Sequence, residues 1–481
     1  MNFPLPLFYP ANAEIVMLSL ISVTLVAELF LTKRYREITY YLTQATLLIV
    51  IGFTFAQIGH PSEITFSGLF ISDDVARLLK LFIELSAFIA FVYSREYIES
   101  ANIPSGEFYI LGLFSTLGMM VLVSAYSLLT IYLGLELLSL PLYAMVALRR
   151  DNAKASEAAM KYFVMGAMAS GMLLYGMSML YGATGTLLLD QIASQLNTNM
   201  QSTHLLLTFA LVFMVAGIGF KLAAAPFHMW APDVYTGAPT ATTLFLSSAP
   251  KVAALGMAFR VLVFALPNLS LVWHKLIVVL AVLSIAIGNM LAITQTNIKR
   301  MLAYSAIAHI GYMLLGLAAG TSSGYAYSLF YICAYALMSV AAFGMVVLLS
   351  RSGFEAENIE DFRGLNSRNP WLALIMLIVM FSMAGIPPAV GFFAKFLVLK
   401  ALVDTDQVGL ATYGVLFAVI GAFYYLRIVK TMYFDAPEEK SLITLSADRQ
   451  LVITLNGFAL LALGLFPTAL ITACRVAFGL S

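Results

Sequence analysis

The chain has 481 residues, of which 61% are hydrophobic and only 11% charged, and its net charge is +1. A soluble domain carries about 25% charged residues, so this chain cannot coat a large globular surface with polar groups, and the near-neutral balance speaks against nucleic acid as a partner. Cys333 and Cys474 are the only cysteines, both in apolar surroundings. They leave no disulfide framework and no ligand cluster for zinc, haem or an iron–sulfur centre, so no redox cofactor and no metal site are expected in this chain.

An all-α polytopic membrane protein is predicted. Apolar runs of about 18 residues or more, the length that a ~30 Å hydrocarbon layer demands of a helix, number about fourteen. In chain order they cover 11–32, 38–58, 73–94, 107–125, 127–148, 155–182, 204–230, 240–266, 270–293, 300–319, 325–350, 369–402, 408–434 and 448–473. The first lacks the basic flank and small-residue cleavage site of a removable signal peptide, so it is expected to stay as a helix.

Loops on the cytoplasmic side of a membrane protein hold Lys and Arg, and the opposite side is depleted of them. Here alternate loops carry Lys33, Arg34 and Arg36; Arg95; Arg149, Arg150 and Lys154; Lys299 and Arg300; Arg351, Arg363 and Arg368; and Lys440 and Arg449. The pattern places both termini on the non-cytoplasmic side, which an even number of spans requires.

Two spans look broken. The seventh reads GIGFKLAAAPFHMWAPDVY, with Pro226 and Pro232; the twelfth reads FSMAGIPPAVGFFAKF, with Gly385, Pro387, Pro388 and Gly391 interrupting the hydrogen-bond ladder. Taking spans four to eight and nine to thirteen as two five-helix units makes the interrupted helix the fourth of each. Because five is odd, the second unit enters the membrane from the opposite side. The predicted segments are therefore 1–106 (three helices), 107–266 (first five-helix repeat), 267–434 (second, inverted repeat) and 435–481 (a loop and the last helix). Paired interrupted helices in inverted halves point to an ion site at the midplane.

Ionisable groups inside such spans cost about 3 kcal/mol each even on lenient scales, which makes them the first functional candidates. Glu136 lies mid-span in YLGLELLSLPLY, Lys161 in EAAMKYFVMGAMASG, Lys221 just before AAAPFH, Lys251 after Pro250, and Lys395 in the second broken span. A Glu and Lys pair in oil can be toggled by a third charge, and a desolvated lysine gives up its proton readily where an arginine does not. Each has a plainer reading as a packing or anchoring group; for Lys161, about five residues inside its span, that reading is snorkelling to the cytoplasmic surface. His228 and His309 are possible relays, since imidazole can pass a proton between its two nitrogens, and Tyr304, Ser305 and Tyr312 could extend a path around His309.

Other polar groups are read as structural. Asp73, Asp74 and Arg77 are expected to anchor at an interface, and Lys80 with Glu84, four apart, to form a local ion pair. Arg427 and Lys430 sit where cytoplasmic anchors fall, and Trp230, Trp273 and Trp371 where belt residues fall. The segments 351–370 and 435–450 are either solvated loops or docking surfaces for a neighbouring subunit.

The strings LGLELLSLPLY, GIGFKLAAAPFHMWAPDVYTGAP, APKVAALGMAFR, QTNIKRMLAYSAIAHIGYML and MAGIPPAVGFFAKFLVL resemble the antiporter-like membrane subunits of bacterial respiratory complex I, NADH:quinone oxidoreductase. The resemblance covers nearly the whole chain. It implies proton translocation through the bacterial inner membrane, with Glu136 and Lys221 as partners on the fifth and broken seventh helices, Lys251 as a bridge, Lys395 on the exit side and Lys161 as a further lysine. Lysine rather than glutamate at Lys395, and an end soon after the last span, are similar to one branch of the family. Other membrane subunits of the complex, lipid and protons are the implied partners; NADH, FMN, iron–sulfur clusters and quinone are implied in other subunits. Two alternatives stay open: a subunit of a multisubunit cation/proton antiporter, and a scaffold that no longer transports.

Overall fold

The structure is a computed structural model that describes residues 6–31, 37–198, 204–350, 354–437, 443 and 445–480. Lys33, Arg34, Arg36, Arg351 and Lys440, used above for orientation, lie outside the described residues.

The chain opens with α1 (Asn12–Phe30) and α2 (Glu37–Ala56), followed by a small antiparallel hairpin, β1 (Glu63–Thr65) and β2 (Phe70–Ser72), which the all-helical reading did not include. Then come α3 (Asp74–Ser100), α4 (Ser105–Val123), α5 (Leu128–Val146), α6 (Ala153–Thr184), α7 (Leu189–Thr198) and α8 (His204–Leu222). The short α9 (Trp230–Gly237), α10 (Thr240–Leu246) and α11 (Ala249–Ala258) lead to α12 (Ser270–Ile293), α13 (Ile298–Ala318) and α14 (Ser322–Leu349). The remainder is α15 (Leu365–Arg368), α16 (Pro370–Ala384), α17 (Val390–Asp404), α18 (Val408–Phe434), α19 (Ala447–Leu465) and α20 (Thr468–Val476).

Helix starts follow the sequence. Asp73, Ser127, Asn152, Asn297 and Thr321 each accept a backbone N–H from the first turn of the helix they open, satisfying donors that would otherwise be orphaned. Between helices, small residues permit close approach. A Cβ at Gly118 of α4 would stand 2.3 Å from the backbone nitrogen of Leu138 in α5, and one at Gly288 of α12 would stand 2.6 Å from that of Ala308 in α13. The same device thus joins the first two helices of each predicted five-helix unit.

Among the described residues, eleven helical segments are long and apolar enough to cross a bilayer, and α19 with α20, bent by 77°, makes a twelfth. Fourteen is reached only by adding α3 and the pair α16–α17. Each of these departs from a plain apolar span for a physical reason: α3 carries Arg77, Lys80 and Glu84 in its interior, and α16 and α17 are fifteen residues apiece on either side of a break. The apolar stretches of α13 and α14 are enclosed by other helices, whereas α1, α6 and α18 turn large apolar side chains outward, such as Phe30, Met168 and Val419.

Three belt and anchor expectations need correction. Trp230 and Trp273 are buried, with their indole N–H groups donating to the carbonyls of Phe220 and Leu266 at 2.9 and 3.0 Å. Only Trp371 of the three is exposed. Asp73 is no surface anchor: both its oxygens accept from the buried guanidinium of Arg260, at 2.6 and 2.7 Å. The segment read as a solvated loop also ties back onto its own chain, Glu355 to Arg149 at 2.6 Å and Glu357 to Lys299 at 2.8 Å.

Candidate functional site

The first break forms because α8 cannot continue past Leu222. Ala223 turns into the left-handed region at φ 59°, and the Pro226 ring removes a donor soon after. A helix stopped in mid-membrane leaves its last carbonyls without partners at the negative end of the helix dipole. Lys251, 1% exposed, answers both problems: its Nζ donates to the carbonyl of Leu222 at 3.1 Å and to that of Lys221 at 3.4 Å, and lies 4.8 Å from the centre of the Trp230 ring. The backbone N–H of Ala225 is held by Ser284 of α12 at 2.8 Å, which fixes the break against the second unit.

Lys221 points the other way, toward α5. Its Nζ donates to Ser139 Oγ at 2.8 Å and to Tyr143 Oη at 3.4 Å. Glu136 lies one turn before Ser139 on the same helix, close enough for its charge to act on Lys221, but the two form no ion pair. Oε1 of Glu136 is shut away from solvent without a hydrogen-bond partner. The predicted carboxylate–ammonium pair is therefore not formed: Lys221 donates to Ser139 and Tyr143, and the Ser139 hydroxyl itself donates to the carbonyl of Leu135 at 2.6 Å. Ser139, Lys221, Trp230 and Lys251 line one small cavity together with Tyr162 and Pro250.

The second break repeats the design. α16 ends at Gly385, whose φ of 84° suits glycine, and its final carbonyls, Met383 and Ala384, accept from Lys395 Nζ at 3.1 and 2.8 Å. A Cβ on Gly391 would stand 1.8 Å from the carbonyl oxygen of Ser382, so the return of the chain into α17 needs glycine there. Lys395 lies 5.2 Å from the Tyr312 ring, which is stacked on Tyr331.

His309, buried on α13, is held at both nitrogens: Nδ1 to Tyr331 Oη at 2.7 Å and Nε2 to Tyr425 Oη at 3.0 Å. Tyr425 continues to Ser305 at 2.5 Å. Of the residues expected around His309, Ser305 joins this chain, whereas the Tyr312 hydroxyl donates to the Gly414 carbonyl. Tyr331 and Tyr425 went unnoticed because uncharged aromatic residues in apolar runs give no signal in the sequence.

Four residues singled out in the sequence stand apart. Lys161 is half-exposed and pairs with Glu157 and Asp233 at 2.8 and 2.9 Å, and Asp233 also holds Arg300 at 2.9 Å. His228 lies within the first break, partly buried, with Nδ1 unpartnered among the described residues. Lys80 and Glu84 form no pair with each other: Lys80 goes to Glu14 at 2.5 Å, and Glu84 accepts from Thr54 at 2.8 Å. A further irregularity, a break between α10 and α11 followed by a π-helical turn over Phe259–Ala265, was not anticipated. There Ser247 Oγ meets Ser339 Oγ of α14 at 2.9 Å, and Tyr335, one turn away on α14, lies 5.2 Å from the His309 ring. The two halves are thus joined by polar contacts across the enclosed centre.

Helices stopped in mid-bundle with ammonium groups on their open ends, in a bundle that also buries hydroxyls and an imidazole, define an ion-translocating membrane protein of the antiporter type. Residues 125–421 match the family model described as NADH:quinone oxidoreductase/Mrp antiporter. The chain is 55% identical over 480 residues to NADH-quinone oxidoreductase subunit N of Coxiella burnetii, covering 98% of this chain and 99% of the relative, and 52% identical over 472 residues to the same subunit of Thioalkalivibrio sulfidiphilus, covering 98% of each. A chain of respiratory complex I from Thermus thermophilus superposes with a TM-score of 0.81 at 32% identity, over 95% of this chain and 99% of that one. A chain of the Mrp complex from Dietzia, at 20% identity and a TM-score of 0.83 over 97% of each, shares the fold. The chain belongs to the NADH-quinone oxidoreductase subunit N family.

Proposed function

We propose that this chain is a proton-translocating membrane subunit of NADH:quinone oxidoreductase, in which a charge change produced by quinone reduction in other subunits shifts protons along its buried lysines. The observation that carries the reading is the placement of Lys221. Its ammonium faces Ser139 and the Glu136 side of α5, while its own carbonyl is held by Lys251. A proton leaving Lys221 changes the charge felt by Glu136 on the facing helix, and the charge seen by Lys251 changes through the backbone of α8. In the second half Lys395 and the Tyr331–His309–Tyr425–Ser305 chain carry the proton onward to the non-cytoplasmic side, where both termini also lie.

Lys161, Asp233 and Arg300 form the cytoplasmic mouth in this reading, and His228 a branch beside the break. Segments 107–266 and 267–434 act as two inverted units, with 1–106 and 435–481 packed around them. The flavin, the iron–sulfur chain and the quinone reside in other subunits, since two buried cysteines offer no thiolate set for a cluster. Other membrane subunits and lipid cover the outer faces in the bacterial inner membrane.

The test is purification from the native membrane and reconstitution into vesicles. The chain should co-purify with an NADH-oxidising complex whose turnover moves protons without added sodium. Sodium-dependent exchange in the absence of NADH would instead assign it to the multisubunit cation/proton antiporters.

A further inference from the structure

A second set of buried ionisable groups lies in the first three helices, away from the lysine row. Lys80 and Glu84, both 0% exposed, stand one turn apart on α3, and Glu14 of α1 is 6% exposed. Lys80 and Glu14 approach to 2.5 Å as an ion pair, although neither is directed at the other as a good hydrogen-bond partner. Glu84 accepts the Thr54 hydroxyl of α2 at 2.8 Å through Oε1, and its Oε2 has no partner among the described residues.

The charge count singles out Glu84. Arg77 has Asp74 at 3.1 Å together with the hydroxyl of Ser72, and Arg260 of the π-helical turn has Asp73 at 2.6 Å. Lys80 has Glu14. Elsewhere on the packed helices, Lys251 of α11 is committed to the carbonyls of α8, Tyr109 of α4 lies against Tyr40 and Phe91, and Tyr93 of α3 meets Asn456. Of the carboxylates Asp73, Asp74, Glu14 and Glu84, the first three each face a cation, and Glu84 remains, fully out of water, opposite a hydroxyl. An unpaired ionised carboxylate is the costliest group to bury, and binding one proton removes that cost.

We infer that Glu14, Lys80 and Glu84 form a second proton-binding centre, holding one proton between two carboxyls and one ammonium, within the N-terminal three-helix segment. Because the Lys80–Glu14 pair occupies the ammonium, the proton rests on Glu84. Drawing Lys80 toward Glu84 moves the proton to Glu14 without changing the net charge. The centre thus exchanges a proton across α1 and α3 by a small side-chain shift.

The experiment is infrared spectroscopy of the assembled complex in the carbonyl-stretch region of protonated carboxyls, comparing variants with the parent. Its readout is proton occupancy, so it stands or falls whether or not the complex pumps. E84Q should remove one protonated-carboxyl band, and K80M, which strips Glu14 of its partner, should add one. T54V, which deletes only the hydroxyl that Glu84 accepts, should shift the band without removing it, and it carries the test should E84Q fail to assemble. An unchanged carbonyl region in E84Q, or in T54V, would overturn the proposal.

Discussion

Lys251 closes the broken end of the helix that carries Lys221, donating to the very carbonyl of that residue. Two lysines are thereby coupled through one peptide unit, although their ammonium groups face different helices. Lys395 closes the end of α16 in the same manner from the far side of its own break. An ammonium in this position does two things: it satisfies carbonyls that the break exposes, and it feels the negative end of the dipole, worth up to about 2 kcal/mol in partly buried geometries.

Substitutions at Lys251 and Lys395 should separate those two roles. Arginine keeps the charge and the hydrogen bonds but does not release its proton, so K251R should assemble with near-normal thermal stability while proton pumping falls at least about tenfold. Alanine should lose pumping and stability together, by about 1.5–3 kcal/mol for a lost charged hydrogen bond. Thermal unfolding of the purified complex, set beside acidification of proteoliposomes, measures both.

Ser139 holds the Lys221 ammonium against α5, the helix that carries Glu136. S139A removes the hydroxyl that Lys221 donates to and leaves only Tyr143, so pumping should fall several-fold with NADH oxidation retained in part. S139T, which restores a hydroxyl, should recover most of it. Equal pumping in S139A and the parent would mean that the serine contact does not position Lys221 for proton transfer.

Around Asp233, the pH response has a definite sign. Burial acts to raise the Asp233 carboxyl, but the hydrogen bonds and charges of Lys161 and Arg300 outweigh it and hold the group below the ordinary aspartate value. A depressed folded value means that both bridges are in place above the unfolded pKa of about 3.9 and are lost only as the pH falls through the lower folded value. Initial pumping rates between about pH 6 and 8 should therefore show no titration of this group, and D233N should lower the rate across that whole range. A D233N effect confined to one end of the range would contradict the assignment.

Asp73 and Arg260 should behave as a lock rather than as transport groups. Removing one member of a buried pair leaves the other uncompensated, at a cost of about 3–5 kcal/mol. D73N should lower the midpoint of thermal unfolding, while the complex that does assemble keeps its ratio of protons to electrons.

Much of this was readable in advance, and the failures share a cause. Pro226, Gly385, Pro387 and Pro388 announce two breaks because they remove donors or need unusual backbone angles, and lysines in oil announce themselves by cost. The site's uncharged members, Ser139, Tyr143, Tyr331 and Tyr425, carry no such mark, since Ser and Tyr are ordinary in apolar helices until their hydroxyls are located. Glu14 and Arg260 do carry the mark, each lying inside an apolar run. Trp230 and Trp273 show that position along a span does not settle which way an indole faces. The break between α10 and α11 falls at Ser247 and Ser248, where only Pro250 two residues on gives a hint.

Lys221 should move protons as well as hold helices together. The most direct test is the number of protons pumped per electron in proteoliposomes carrying the intact complex with K221M, measured beside NADH oxidation. The expected result is an assembled complex that still oxidises NADH and pumps fewer protons per electron. An unchanged ratio in a fully assembled K221M complex would contradict it.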